Sequence, residues 1–258
     1  MCRAQKKVLI TGAAGVCGRI LTEGLAGCCD LVLTDRYQPQ EEIFEHLINA
    51  DISDPASISQ VCDGVDVVVH LAADPRPDAP WESLLPNNVL GAYNVFEAAY
   101  QSGCKRMIFA SSIQAIFGYP AQNLLAGNLP PSPTNLYGAT KTWGEALARV
   151  YAEKGLSCIC LRLGWVKGGE EALFNPRRPG LEMILTARDL TRLVIAAIDA
   201  PDDLKFGVFD GLSDNSRKYV DISITREALG YNPQDDAYRL AWSLPNVLRL
   251  IQRRIGYR

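Results

Sequence analysis

The chain has 258 residues, 48% of them apolar and 21% charged, with a formal net charge of −3. That composition suits a globular protein with a sizeable core, gives no basic field to attract nucleic acid, and contains no apolar run approaching a membrane span. Eight cysteines are scattered through apolar surroundings without paired C-x-x-C spacing, and the two histidines have no second ligand type nearby. Reduced thiols are expected, and neither a disulfide framework nor a metal site is. The opening residues run directly into a strand rather than a signal-peptide core, so a cytoplasmic location is expected.

A β-branched strand is predicted at Lys7–Thr11, then a helix over Gly15–Ala26, strands at Leu31–Thr34 and His46–Ala50, and a helix at Pro55–Val61. A strand over Val65–Leu71 leads to a long helix at Asn88–Ser102, followed by a strand at Arg106–Ser111, a helix at Tyr137–Lys154 and a strand at Ser157–Leu163. Near-continuous apolar runs such as Val65-Asp66-Val67-Val68-Val69 belong in a sheet covered on both faces. Their alternation with helices predicts an α/β fold of Rossmann type, a right-handed, doubly wound parallel sheet. Beyond Gly164 the chain is turn-rich at Lys167–Glu171 and Asn175–Gly180. A helix at Ala187–Ala200, a strand near Gly207–Phe209 and an Arg-rich terminal helix within Tyr238–Arg258 are expected after it. Residues 1–164 are thus assigned to the Rossmann core, and 165–258 mainly to a small substrate lobe with some elements returning to the core.

The segment TGAAGVCG, Thr11–Gly18, lies where the first strand turns into the first helix. Gly12 permits the tight turn, Gly15 lets a pyrophosphate approach the backbone, and Gly18 allows close packing of helix on strand. Val16 and Cys17, between those glycines, share the phosphate-facing turn. Asp35 closes the second strand, where a carboxylate can accept hydrogen bonds from ribose hydroxyls and repel a 2′-phosphate. Arg36 beside it could accommodate that phosphate, so NAD is favoured over NADP without excluding it. Asp51 and Ile52 after the third strand, Leu71, Ala72 and Ala73 after the fourth, and Asn88 are also expected on the path of the dinucleotide. His70 reads as a satisfied structural histidine.

Tyr137 and Lys141 stand four residues apart and therefore share one face of a helix. A phenol ordinarily titrates near 10, and a fixed ammonium beside it favours phenolate, moving it toward a useful general base. Ser111 and Ser112, ending the preceding strand, offer hydroxyls to hold a substrate oxygen, and either is open for that role.

Taken in order, TGAAGVCG, Asp35, HLAA, NNVLGAYNVFEAA, ASS and YGATK resemble the extended short-chain dehydrogenases/reductases, the NAD-dependent epimerase/dehydratase group. The resemblance implies that Tyr137 is the acid/base, that Lys141 lowers its pKa and holds ribose, and that a serine after the fifth strand completes the triad. Ile113 stands where the sugar-nucleotide epimerases place their catalytic hydroxyl. The run from Phe109 to Pro120 and the Gly211–Gly230 segment look similar to hexuronate and aldose dehydrogenases, whose chemistry oxidises an anomeric hydroxyl to a lactone. By that likeness Ser112, Ile113, Gln114, Trp165, Arg177 and Arg178 are expected at the substrate, the two guanidinium groups suiting a carboxylate or a phosphate equally. A nucleotide-sugar epimerase or dehydratase holding NAD tightly is one alternative reading. A dinucleotide-sensing module without catalysis is another. The resemblance also implies a homodimer formed by pairing the helices at 89–102 and 137–154 into a four-helix bundle.

Overall fold

The computed structural model describes residues 6–120, 124–167 and 179–243. From the amino end, β1 (Lys7–Thr11), α1 (Val16–Leu25), β2 (Asp30–Asp35), β3 (Ile48–Asn49), α2 (Pro55–Val61) and β4 (Val67–His70) form the first half of the sheet. The second half begins with α3 (Trp81–Leu84) and α4 (Gly91–Gln101), then β5 (Arg106–Ser112), α5 (Leu136–Glu153) and β6 (Ser157–Leu163). Then come β7 (Trp165–Lys167), β8 (Ile184–Thr186), α6 (Ala187–Ile198), β9 (Phe206–Gly211), α7 (Ser223–Leu229) and α8 (Ala237–Ala241).

Seven parallel strands lie in the order β3-β2-β1-β4-β5-β6-β9, the doubly wound topology. Alternation along β1 sends Val8 and Ile10 into the layer packed by α1 and α6, and Leu9 into the layer packed by α2, α4 and α5. Two buried faces are why these strands read as unbroken apolar runs. Asp54 caps α2 through the Ala56 amide, Asn135 caps α5 through Gly138, and Thr186 caps α6 through Asp189. Arg106, opening β5, donates to the carbonyls of Ala197, Ile198, Ala200 and Pro201, and so satisfies the end of α6. Among the described residues no helix is long and apolar enough to cross a membrane, and the seven cysteines there are free thiols.

Several elements differ from expectation, among them the unexpected α7. The predicted strand His46–Ala50 shrinks to Ile48–Asn49 at the sheet's edge. The predicted helix at Asn88 starts earlier, at Trp81, and passes through a wide π-turn at Leu85–Leu90, because Pro86 supplies no N–H to an α-helical ladder. A two-stranded parallel sheet, β7 with β8, not expected from the sequence, flanks the segments read as turns. Of the Arg-rich terminal helix, only α8 falls within the described residues.

Asp210 on β9 is 2% exposed; its Oδ2 accepts from the Asn128 amide, while Oδ1 is buried without a hydrogen-bond partner. Burial pushes this carboxyl up to about 6. A carboxyl raised above its unfolded value holds its proton more tightly when folded, so its contribution is greatest at low pH and is lost as pH rises from about 4 to about 6. Asp210→Asn should therefore gain on the wild type across that window, by on the order of 2 kcal/mol at neutral pH. Thermal melts of both proteins from pH 4 to 8 check this, and a stability difference that does not change with pH refutes it.

Candidate active site

The strand order reverses between β1 and β4, and the carboxyl ends of β1, β2 and β4 open there into a cleft of about 410 Å³. Its floor is the glycine turn. Gly12 has φ +73°, and a Cβ there would come within 2.7 Å of the Ala72 amide nitrogen. On Gly18 a Cβ would meet the Gly12 carbonyl at 2.3 Å, so α1 lies against the strand only because this position is glycine. Gly15 differs, since its Cβ position touches only the Gly12 oxygen, at 3.3 Å, and otherwise faces open space. No side chain caps the first turn of α1, so its amides are available to an anion.

Val16, Cys17, Asp35, Arg36, Asp51, Ile52, Leu71, Ala72 and Ala73 all line this cleft together with the three glycines. Asp35 is oriented by two backbone donors, the amides of Ala14 and Tyr37, each at 3.0 Å. Arg36 reaches sideways to the Asn87 side chain at 3.0 Å. A glycine floor, uncapped amides and an oriented carboxylate fit a dinucleotide.

Asn88 does not share that wall; the residue before it, Asn87, does. Asn88 is buried, accepts from the Asp74 amide at 2.8 Å, and donates to the Asp74 carbonyl and the Thr140 hydroxyl. It clamps the loop after β4 onto α5. His70 is buried and bonded to Thr11 at 2.7 Å, with its pKa pulled down to about 3 by burial, as befits a structural ring.

Tyr137 and Lys141 occupy adjacent turns of α5, both buried. The ammonium lies over the rings of Phe109 and Tyr137, at 5.1 and 5.7 Å from their centroids. Burial lowers the Lys141 pKa to about 8. The Tyr137 phenol is pushed up to about 12, chiefly by burial, while hydrogen bonding with the Ser112 hydroxyl pulls it down. The direction is opposite to the acidification expected from the Tyr/Lys spacing, because desolvation of the phenolate outweighs an ammonium that stacks on rings. Cys17 of the glycine turn lies near both Tyr137 and Lys141.

The two serines point to different partners, as successive residues of a strand must. Ser112 faces Tyr137, and its Oγ accepts from the Gln114 amide at 3.2 Å. Ser111 donates at 2.6 Å to the buried carboxylate of Glu145. Of the expected substrate residues, Ile113 has its side chain wholly buried in the hydrophobic core, at the start of a 3₁₀ turn after β5. Gln114 accepts from Asn135, the cap of α5, at 2.8 Å. Trp165 on β7 is half-exposed with its ring against Gly180. Arg177 and Arg178 lie outside the described residues.

A Tyr/Lys helix and a strand-end serine beside a Rossmann glycine turn define the class of extended short-chain dehydrogenases/reductases. The model of the NAD dependent epimerase/dehydratase family matches residues 8–184, and the chain belongs to that family. An NAD-dependent glucose-6-phosphate dehydrogenase of Haloferax volcanii is 34% identical over 249 residues, covering 89% of this chain and 94% of that protein. An L-arabinose 1-dehydrogenase (NAD(P)(+)) of the same organism is 32% identical, covering 90% of this chain and 97% of its own. Among solved structures, a uronate dehydrogenase from Agrobacterium tumefaciens, a point mutant complexed with NAD, matches with TM-score 0.82 and 32% identity. That match covers 97% of this chain and 90% of that one.

Asp35 gives the cofactor test. Asp35→Ser removes the carboxylate and leaves Arg36 in place, so the ratio of kcat/KM for NADP to that for NAD should rise by about tenfold or more. Initial rates with each dinucleotide measure it, and an unchanged ratio removes Asp35 from cofactor selection.

Proposed function

We propose that this chain is an NAD-dependent dehydrogenase that oxidises the anomeric hydroxyl of a small sugar or sugar acid, an aldose or hexuronate, to a lactone. The observation that carries the reading is the meeting of Tyr137, Lys141 and Ser112 beside Cys17 of the glycine turn. Relatives that are similar over nine-tenths of the chain are named as dehydrogenases of glucose 6-phosphate and of L-arabinose, which supports sugar oxidation over epimerisation.

In this reading Ser112 holds the anomeric oxygen and the Tyr137 phenolate takes its proton, while the Lys141 ammonium offsets the negative charge on the phenolate. NAD, when bound, supplies the acceptor for the hydride. The O–H proton and the C–H hydride leave together, and the anomeric carbon becomes the lactone carbonyl. Ser111, engaged with Glu145, is left out of the triad. Asp35 and the glycine turn hold the adenosine end.

The subunits pair as a homodimer through α4 and α5. Phe96 and Leu147 turn into the core, whereas Leu90, Tyr93, Trp143 and Val150 are exposed on the outer faces of these helices and of the π-turn before α4. An apolar stripe that the subunit itself leaves uncovered is a surface for a second copy. Free thiols agree with a reducing, cytoplasmic setting.

Production of NADH from NAD should be measured at 340 nm with aldoses, hexuronates and sugar phosphates. Tyr137→Phe should lower kcat by about 10³-fold with little change in NADH affinity. The unionised phenol is inert as a base, so the wild-type rate should climb from pH 6 toward 8 and flatten as Lys141 loses its charge above about 8. Silence across the whole panel, or full activity in Tyr137→Phe, ends this reading. Light scattering should give twice the subunit mass of 28.3 kDa, and Trp143→Glu should give the single subunit. A wild-type mass of one chain excludes the dimer.

A further inference from the structure

Glu145 stands one helical turn beyond Lys141, the third member of the stripe Tyr137, Lys141, Glu145 along the sheet-facing side of α5. Its two oxygens receive Nε and Nη2 of Arg162 on β6, each at 2.8 Å, and Oε1 also accepts from Ser111. The side chains of Arg162 and Glu145 are 2% and 5% exposed. Arg162 spends its remaining arm on the Leu129 carbonyl at 2.7 Å, and stands in register between Ser111 on β5 and Asp210 on β9. Every polar arm of this guanidinium is thus committed to the protein interior, away from any ligand.

A buried ion pair is an expensive way to hold a helix on a sheet, because well-packed apolar residues of similar volume serve stability as well or better. What a two-pronged guanidinium–carboxylate contact adds is direction, since it fixes distance, roll and axial register at once. The positions it fixes here are specific. Ser111 immediately precedes Ser112, and Glu145 follows Lys141 by one turn, so a single carboxylate ties the serine strand to the tyrosine helix.

We propose that Glu145 is a positioning residue for the dehydrogenase reaction: through Arg162 and Ser111 it sets the roll of α5 on β5 and thereby the spacing of Tyr137 and Lys141 from Ser112. It touches neither substrate nor cofactor. The role rests on the functional reading above. Misplacement of reacting groups by an ångström costs on the order of 10²-fold in rate, whereas ground-state binding of a dinucleotide held elsewhere need not change.

Glu145→Gln keeps the shape and removes the charge. Its control is Glu97→Gln, since Glu97 on α4 accepts the Tyr151 hydroxyl of α5 at 2.5 Å at a place remote from the glycine turn. Both variants loosen α5, and only the first should unsettle the reacting groups. In Glu145→Gln, kcat should fall about tenfold or more below Glu97→Gln, while NADH affinity by fluorescence titration stays within about twofold of wild type. Amide exchange followed by mass spectrometry should quicken in the first turns of α5, from Leu136 to Lys141, in Glu145→Gln alone. Should that variant fail to fold, Ser111→Ala leaves the ion pair intact and should still lower kcat several-fold with unchanged NADH affinity. Equal kcat in Glu145→Gln and Glu97→Gln, or equal exchange along α5 in both, overturns the proposal. A wild type that is inert toward every sugar refutes the functional reading by itself, and the exchange comparison then decides whether Glu145 orients this helix.

Discussion

The close approach of α5 to the sheet is the constraint on which the rest of this molecule depends. Two glycines permit it. A Cβ at Gly144 would fall 2.1 Å from the Phe109 ring of β5, and one at Gly138 would fall 2.6 Å from the Gln114 carbonyl. Any side chain at either place would push the helix away from the sheet, and Tyr137 would move off Ser112. The same approach brings Lys141 over Phe109, seals the core around Ala148 and Tyr151, and lets Asn88 reach Thr140 from the neighbouring π-turn. Backbone geometry at two positions without side chains thus precedes, physically, every chemical property of the site.

Close approach has an electrostatic consequence. Lys141, Glu145, Arg162 and Asp210 are all buried within a few strands of one another, and each pays for the loss of water differently. Glu145 and Arg162 satisfy each other. Lys141 has aromatic faces instead of a carboxylate, and it titrates lower as a result. Asp210 has one donor for two oxygens, and holds its proton more tightly. Tyr137 sits in the same dry region, which is why its phenol moves up rather than down. A helical spacing of four residues says which groups are neighbours; the sign of a pKa shift depends on how much water is excluded between them.

That distinction marks how far the sequence can be read. The central strands, the glycine turn, Asp35 and the Tyr/Lys pair were legible as local patterns, because each has a geometry that follows from period or turn chemistry. The wide turn at Leu85–Leu90 was not, although Pro86 was its visible cause. A place in a motif did not reveal that the Asn88 side chain clamps the backbone of Asp74 or that the Ile113 side chain fills the core. In both cases a one-residue difference in facing decides the role, and facing is set by tertiary packing. Glu145 and Arg162 escaped notice for the opposite reason. Charged residues far apart in sequence read as solvated, and only the register of β6 against β5 brings them together. A carboxylate on the same helical stripe as a buried lysine was the one available signal.

Under the proposed function, chemistry and selectivity fall to different parts of this fold. Tyr137, Lys141 and Ser112 are buried on α5 and on the strand it covers, and their geometry is fixed by Gly138, Gly144 and the surrounding core. The rim is built otherwise: Trp165 rests on Gly180, itself at φ +100°, and among the described residues β7 pairs with the three residues of β8 alone. A short, two-stranded rim can alter its side chains without moving α5, whereas any change at Phe109 or Gly144 displaces the reacting groups. Relatives named for glucose 6-phosphate and for L-arabinose differ in substrate charge while remaining about one-third identical to this chain along nearly its whole length. Under the proposed function, a short rim over a packed core is the part of the fold where a preference between such substrates would be set.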